Sequence, residues 1–156
     1  MIKLERRPRV GLVCAILGWL LISAPALNPG PAVAADQVII ATPADARWTP
    51  CDAKVPEGCQ FVVVQGDVPK GPAVQLIKAP AGHVFVPHRH PSTPEHITMI
   101  SGNMLLGYEG GTDQYVGRDA YVFIAANLVH WARCLEPCVF SLVTTGPFDF
   151  IPADKK

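Results

Sequence analysis

The sequence predicts an all-β fold in one small domain, a sandwich or closed barrel, and three observations carry that prediction. Short runs rich in β-branched and aromatic residues recur along the chain, at 38–40, 61–64, 73–77, 84–86, 96–100, 104–106, 121–124 and 138–143. Turn chemistry separates them: Gly66-Asp67, Pro69-Lys70-Gly71-Pro72, Pro80-Ala81-Gly82, Pro91-Ser92-Thr93-Pro94, Ser101-Gly102-Asn103 and Gly110-Gly111-Thr112-Asp113. Helical periodicity is absent beyond the first apolar run, and many short strands at near-regular spacing imply a sandwich or barrel.

The N-terminus reads differently. Lys3, Arg6, Arg7 and Arg9 precede an apolar run over 10–22, which Pro25, Pro29, Gly30 and Pro31 close soon after. That run is shorter than the roughly 20 residues a membrane span needs, so a cleaved secretory signal peptide over 1–35 is expected. Ala32, Ala34 and Ala35 supply the small residues of a cleavage site after Ala34 or Ala35. Pro8-Arg9-Val10 fits a twin-arginine signal poorly. Val13 before Cys14 argues against lipid attachment. The expected organisation is a signal peptide at 1–35, an N-terminal arm at 36–55, a β-barrel at 56–150 and a C-terminal tail at 151–156. The location expected is periplasmic or secreted, with no stable membrane insertion after cleavage.

Charge then changes meaning. The whole chain balances 13 basic against 13 acidic side chains, but residues 36–156 hold nine against twelve. A basic nucleic-acid footprint is absent, so no nucleic-acid partner is expected. Four cysteines remain, Cys51, Cys59, Cys134 and Cys138, an even number suited to an oxidising compartment. Short loops are the easiest to close, which favours Cys51 with Cys59 and Cys134 with Cys138. Crossed pairings and thiolate metal binding remain as alternatives.

All five histidines fall between residues 83 and 130. Alternation along a strand puts His88 and His90 on one face, in line with Val84 and Val86. After the Pro-Ser-Thr-Pro turn, Glu95 opens the next strand and returns to the same side. Two imidazoles and a carboxylate then converge as a transition metal requires, and His130, on a later strand, offers a fourth ligand. His83 and His96 have the opposite parity and are expected to point outward or to stand behind a ligand. Arg89 points away. Ile97 and Met99 share Glu95's side, so Val84, Val86, Ile97 and Met99 are the expected pocket residues. Trp131, opposite in parity to His130, is expected in packing or a dimer contact.

The run Gly82, His88, His90, Glu95 and Gly102 satisfies G-x5-H-x-H-x4-E-x6-G and resembles the first signature of the cupins, small jelly-roll β-barrels. The second signature is met in part: His130 stands in place, while Ala125 and Asn127 occupy positions usually held by Pro and Gly, and Gly117 lies two positions early. Asn tolerates the left-handed conformation that a turn at 127 needs. The resemblance spans roughly 61–143 and implies metal ligation by His88, His90, Glu95 and His130.

One divalent transition ion per chain is therefore expected, from among Fe, Mn, Zn, Ni and Cu, with export favouring Mn, Zn or Cu over Fe(II). The resemblance implies an oxygenase-type enzyme acting on a small molecule, with Glu95 as catalytic base as well as ligand. A non-enzymatic periplasmic module that binds or senses a metal or small polar ligand is the alternative. A metal-independent isomerase or structural barrel is a third reading. Cupins commonly pair through a barrel face or an exchanged N-terminal strand, which makes a homodimer the expected assembly and residues 38–42 the candidate arm.

Overall fold

The computed structural model describes residues 38–154. The expected signal peptide at 1–35 and the charged end at Lys155-Lys156 lie outside the described residues. Among the described residues, eleven strands make two antiparallel sheets. One sheet orders β1 (Thr49–Pro50), β2 (Gln60–Gly66), β3 (Ala73–Ala79), β10 (Cys138–Thr144), β5 (Glu95–Ser101) and β8 (Tyr121–Ile124). The other orders β11 (Ile151–Pro152), β4 (Val84–Arg89), β9 (His130–Cys134), β6 (Met104–Tyr108) and β7 (Gln114–Val116). No helix among the described residues is long and apolar enough to cross a membrane.

Strand alternation explains how the sheets enclose a core. In β10 every second residue, from Cys138 through Phe140 and Leu142 to Thr144, is buried, while Val139, Ser141 and Val143 are half-buried. β5 follows the same rule, with Glu95, Ile97 and Met99 turned inward. These faces meet Phe85 of β4, Met104 and Leu106 of β6 and Ala132 of β9 in one apolar cluster. Each large side chain fully buried there stabilises the fold by about 1.5–3 kcal/mol.

The turns at the ends of these strands depend on particular residues. Gly102 has φ +73°, and a Cβ at that position would lie 2.2 Å from the Pro137 carbonyl oxygen. Only glycine combines that conformation with that approach. Asn127 has φ +66° and donates its backbone N–H to the His90 carbonyl at 2.9 Å. The turn ahead of His130 is thereby tied to the strand end that carries His90.

Both short-loop disulfides are present, Cys51–Cys59 with Cα atoms 5.4 Å apart and Cys134–Cys138 at 6.0 Å. Three features depart from the sequence expectation. Residues 38–40 form no strand and are exposed, because no strand among the described residues pairs with them. Within the expected arm, Thr49 and Pro50 pair with Phe61 and Gln60 of β2. At the other end, Ile151 and Pro152, assigned to a tail, pair with Arg89 and His88 of β4.

Candidate metal centre

The ladder between β4 and β9 sets the site. Phe85 pairs with Ala132 and His88 pairs with His130, so three steps along β4 match two along β9. The extra residue is a β-bulge over Val86-Pro87, where proline has no N–H to give a ladder. A bulge shifts side-chain parity by one. Phe85 and His88 therefore both face inward although they are three residues apart, and His90 keeps the inward direction beyond the strand end.

Parity also corrects part of the expected pocket. Val84 is 42% exposed and Val86 only half-buried; the bulge turns both off the inner face, and Phe85 lines the cavity instead. Ile97 does line it. Met99 is buried in the core one step beyond Ile97 and is not among the cavity-lining residues. The same inversion buries His83, edge-on against Phe85 with ring centroids 4.7 Å apart. His96 does point outward, and its Nδ1 lies 2.7 Å from the Tyr121 hydroxyl. Arg89 is exposed. Trp131 is half-buried, and its Nε1 donates to Asp113 Oδ1 at 3.2 Å.

His88, His90, Glu95 and His130 are all buried, and one ligand atom from each lies within 4.8 Å of every other. Backbone carbonyls orient all three rings: Val86 O lies 2.6 Å from His88 Nδ1, Asp149 O 2.5 Å from His90 Nδ1, and Leu128 O 2.9 Å from His130 Nδ1. A carbonyl only accepts, so each Nδ1 carries the proton and each Nε2 is left to face the others. Glu95 enters from β5, with Oε1 3.3 Å from His90 Nε2 and Oε2 2.9 Å from His130 Nε2.

Electrostatics follow from burial. Desolvation, reinforced by His130, pushes His88 down to about 3, and burial also lowers His90 against the opposing pull of Glu95. Burial would depress His130 as well, but the hydrogen bond and charge of Glu95 outweigh it and raise that imidazole. Burial would raise Glu95, yet the His130 hydrogen bond and the surrounding imidazoles hold its carboxyl below the ordinary range. Glu95 and His130 thus favour a proton between them, while burial disfavours one on His88 and His90.

This donor set fits a divalent transition ion. His90 Nε2 is buried without a hydrogen-bond partner, an arrangement that is costly unless an electrophile takes up the lone pair. Three imidazole nitrogens and a carboxylate suit Fe, Mn, Ni, Cu or Zn.

The C-terminal segment supports the rings in a way the sequence does not announce. Phe150 stacks on His88 with centroids 4.1 Å apart and 17° between planes, and Phe148 stacks on His90 at 4.3 Å and 21°. Asp149, between these two residues in sequence, supplies the carbonyl that orients His90. A cavity of about 400 Å³ opens beside the cluster. His88, Glu95 and His130 form its polar wall; Phe61, Ile77, Ile97, Phe140 and Leu142 are among its apolar ones. The Cys51–Cys59 disulfide closes part of its rim.

Residues 36–149 match the family profile of the ChrR cupin-like domain. Among solved structures, the polyketide cyclase RemF from Streptomyces resistomycificus is similar with a TM-score of 0.65 at 13% identity, covering 77% of this chain and 88% of that one. A putative acetylacetone dioxygenase from Methylibium petroleiphilum PM1 gives 0.61 at 20% identity, with 77% and 85% covered. An uncharacterized conserved protein with a double-stranded β-helix domain from Klebsiella pneumoniae gives 0.60 at 21%, with 76% and 100% covered. At these identities the likeness is one of fold. No curated protein matches the sequence at a significant level.

Proposed function

This chain belongs to the ChrR cupin-like domain family, and from that premise we propose that it is an exported, metal-dependent enzyme that acts on a small molecule by an oxygenase-type reaction. The observation that carries the reading is the convergence of three Nε2 atoms and the Glu95 carboxylate on one point beside a cavity of about 400 Å³. That volume falls within the range of small-molecule sites. Signal-like residues 1–35 and the two disulfides support export to the periplasm or beyond.

A divalent ion held by His88, His90, Glu95 and His130 would supply Lewis acidity towards a substrate oxygen. The chain's own groups do the rest. Glu95, the carboxylate of the cluster, is the base placed to take a proton from a substrate hydroxyl on whichever of its oxygens is left free of the ion. The apolar walls exclude water around the reacting end of the substrate. A dioxygenase-type reaction puts both atoms of O2 into the organic product and needs no further reductant. The similar fold of the putative acetylacetone dioxygenase lends this class support by analogy.

The test is oxygen consumption by the purified chain loaded in turn with Fe, Mn, Ni, Cu and Zn, against a panel of enediols, catechols, flavonols and β-diketones. Turnover with at least one pair, abolished in Glu95→Gln, is the expected result. A metal-loaded protein inert across the panel overturns it.

One observation favours a second reading, a non-enzymatic binding or sensing module. Beyond His88, Glu95 and His130, only Gln75 and the exposed Asp52 interrupt an apolar cavity wall, which offers little acid–base chemistry. In that case Glu95→Gln weakens ligand capture but there is no turnover to lose.

A further inference from the structure

Gln75 is the one buried polar side chain in the cavity wall outside the histidine cluster; Asp52, which also lines the cavity, is exposed. Gln75 lies mid-strand in β3, 3% exposed, and lines the cavity among Phe61, Ile77, Phe140 and Leu142. Its Nε2 is buried without a hydrogen-bond partner. An unpaired buried amide donor is destabilising, and nothing in the fold of β3 calls for a polar side chain there. Ile77, two residues on and on the same face, is apolar.

The register places Gln75 relative to the histidine cluster. Thr144 of β10 pairs with Glu95 on one side and Ala73 on the other, while Leu142 pairs with Gln75. Gln75 is thus two strands across from Glu95 and two residues further into the barrel, a strand-to-strand separation of about 10 Å. Both side chains face the same cavity. One end of that cavity carries His88, Glu95 and His130, Gln75 stands away from them, and the buried side chains between are apolar.

We propose that Gln75 is a specificity-determining residue. It donates from Nε2 to a carbonyl or carboxylate oxygen at the far end of a ligand whose near end carries the oxygen donors that face His88, Glu95 and His130. This deepens the reading of the cluster as a metal-bound small-molecule site and rests on it. The ligand class is a compact molecule, apolar or aromatic in the middle, with oxygen at both ends. At about 30 Å³ per water, the cavity has room for roughly a dozen non-hydrogen atoms, so an extended peptide or sugar chain is too large. A buried donor left unpaired by the wrong ligand is a stronger discriminator than an apolar wall, which separates ligands only by size.

The test compares two catechols of matched shape, 3,4-dihydroxyacetophenone and 4-isopropylcatechol, the second of which replaces the ketone oxygen with a methyl group. Binding is measured by calorimetry to the zinc-loaded full chain and to its Gln75→Leu variant, because zinc supports no redox turnover. The intact protein should prefer the ketone, and Gln75→Leu should reduce the ratio of the two affinities about tenfold or more. The ratio cancels any difference in acidity between the two catechols. Zinc content should be unchanged in the variant, and its melting temperature unchanged or raised, since a buried unpaired donor is removed. An unchanged ratio overturns the role of Gln75 alone. A marked fall in melting temperature makes Gln75 a packing residue and also overturns it. If zinc binds but neither catechol does, the small-molecule reading of the cluster fails and takes this inference with it.

Discussion

His88 and His130 are direct partners across the β4–β9 ladder, with ring centroids 4.2 Å apart and both Nδ1 atoms bonded to the carbonyl two residues earlier in the chain. The two rings nevertheless differ in proton affinity. Burial pushes His88 down to about 3, while Glu95 raises His130. That difference sets how the cluster responds to metal and to pH.

A metal ion must displace the proton shared by His130 and Glu95. His130 is raised above its usual 6.5, so the proton is mostly present at pH 6.5 and is lost as pH rises through the higher value. Metal binding near pH 6.5 should release about one proton per ion, and apparent affinity should rise about tenfold per pH unit until His130 titrates. Calorimetry in buffers of different ionisation enthalpy counts the protons. Release of none at pH 6.5 would contradict the shared proton.

Acid should destabilise the metal-free protein earlier than carboxylates alone would. His88 is depressed to about 3 in the fold against 6.5 unfolded, so its contribution is complete above pH 6.5 and is lost as pH falls toward 3. By pH 5 the loss from His88 alone is about 2 kcal/mol, and His90 adds to it in the same direction. His130, shifted the other way, contributes fully below 6.5 and so does not change over this interval. Glu95, depressed, adds its own loss only below the ordinary carboxylate range. Urea titrations of chelator-treated protein from pH 7 to 4 read this slope directly; stability flat down to pH 5 would refute it.

Phe150 and Phe148 should matter to metal affinity without being ligands. Phe150→Ala should cost about 3 kcal/mol of stability by leaving a cavity against His88. Metal affinity should fall about tenfold in either alanine variant, since a ring free to rotate is a poorer ligand than one held in place. Phe→Leu, which restores bulk without a flat ring, should recover stability more than affinity.

Two glycines separate backbone strain from steric room. Gly102 and Gly82 both have positive φ, but only at Gly102 does an added Cβ collide, with Pro137 O and with Cys138, while nothing lies within 4 Å at Gly82. Gly82→Ala should cost about 1 kcal/mol, the ordinary left-handed penalty, and Gly102→Ala distinctly more. Equal losses in thermal denaturation would show that the turn after β5 adapts.

How much of this could be read beforehand follows from the range of the interactions involved. His88, His90 and Glu95 lie within eight residues, and the Pro-Ser-Thr-Pro turn between them is local chemistry, so their convergence was legible, as was the left-handed turn at Asn127. Local loops likewise made both disulfides readable. Val84 and Val86 were misplaced because strict alternation breaks at Pro87, and only the pairing with β9 reveals where the extra residue falls. Phe148 and Phe150 gave no periodic signal. Their role exists only because β11 pairs with β4 and brings residues about 60 positions apart together, as the bond from His90 to Asp149 shows. Gln75 looked like one polar residue in a strand, and its isolation becomes visible only once the cavity is closed around it.

Whether His88, His90, Glu95 and His130 together hold one metal ion is decided by metal analysis combined with X-ray absorption on the purified chain. One first-row transition ion per chain is expected, ligated by three imidazole nitrogens and carboxylate oxygen, and lost from the His88→Ala, His90→Ala double variant although that variant remains folded. A chain that binds no ion after exposure to each candidate metal, or one whose ion survives that double substitution, would contradict it.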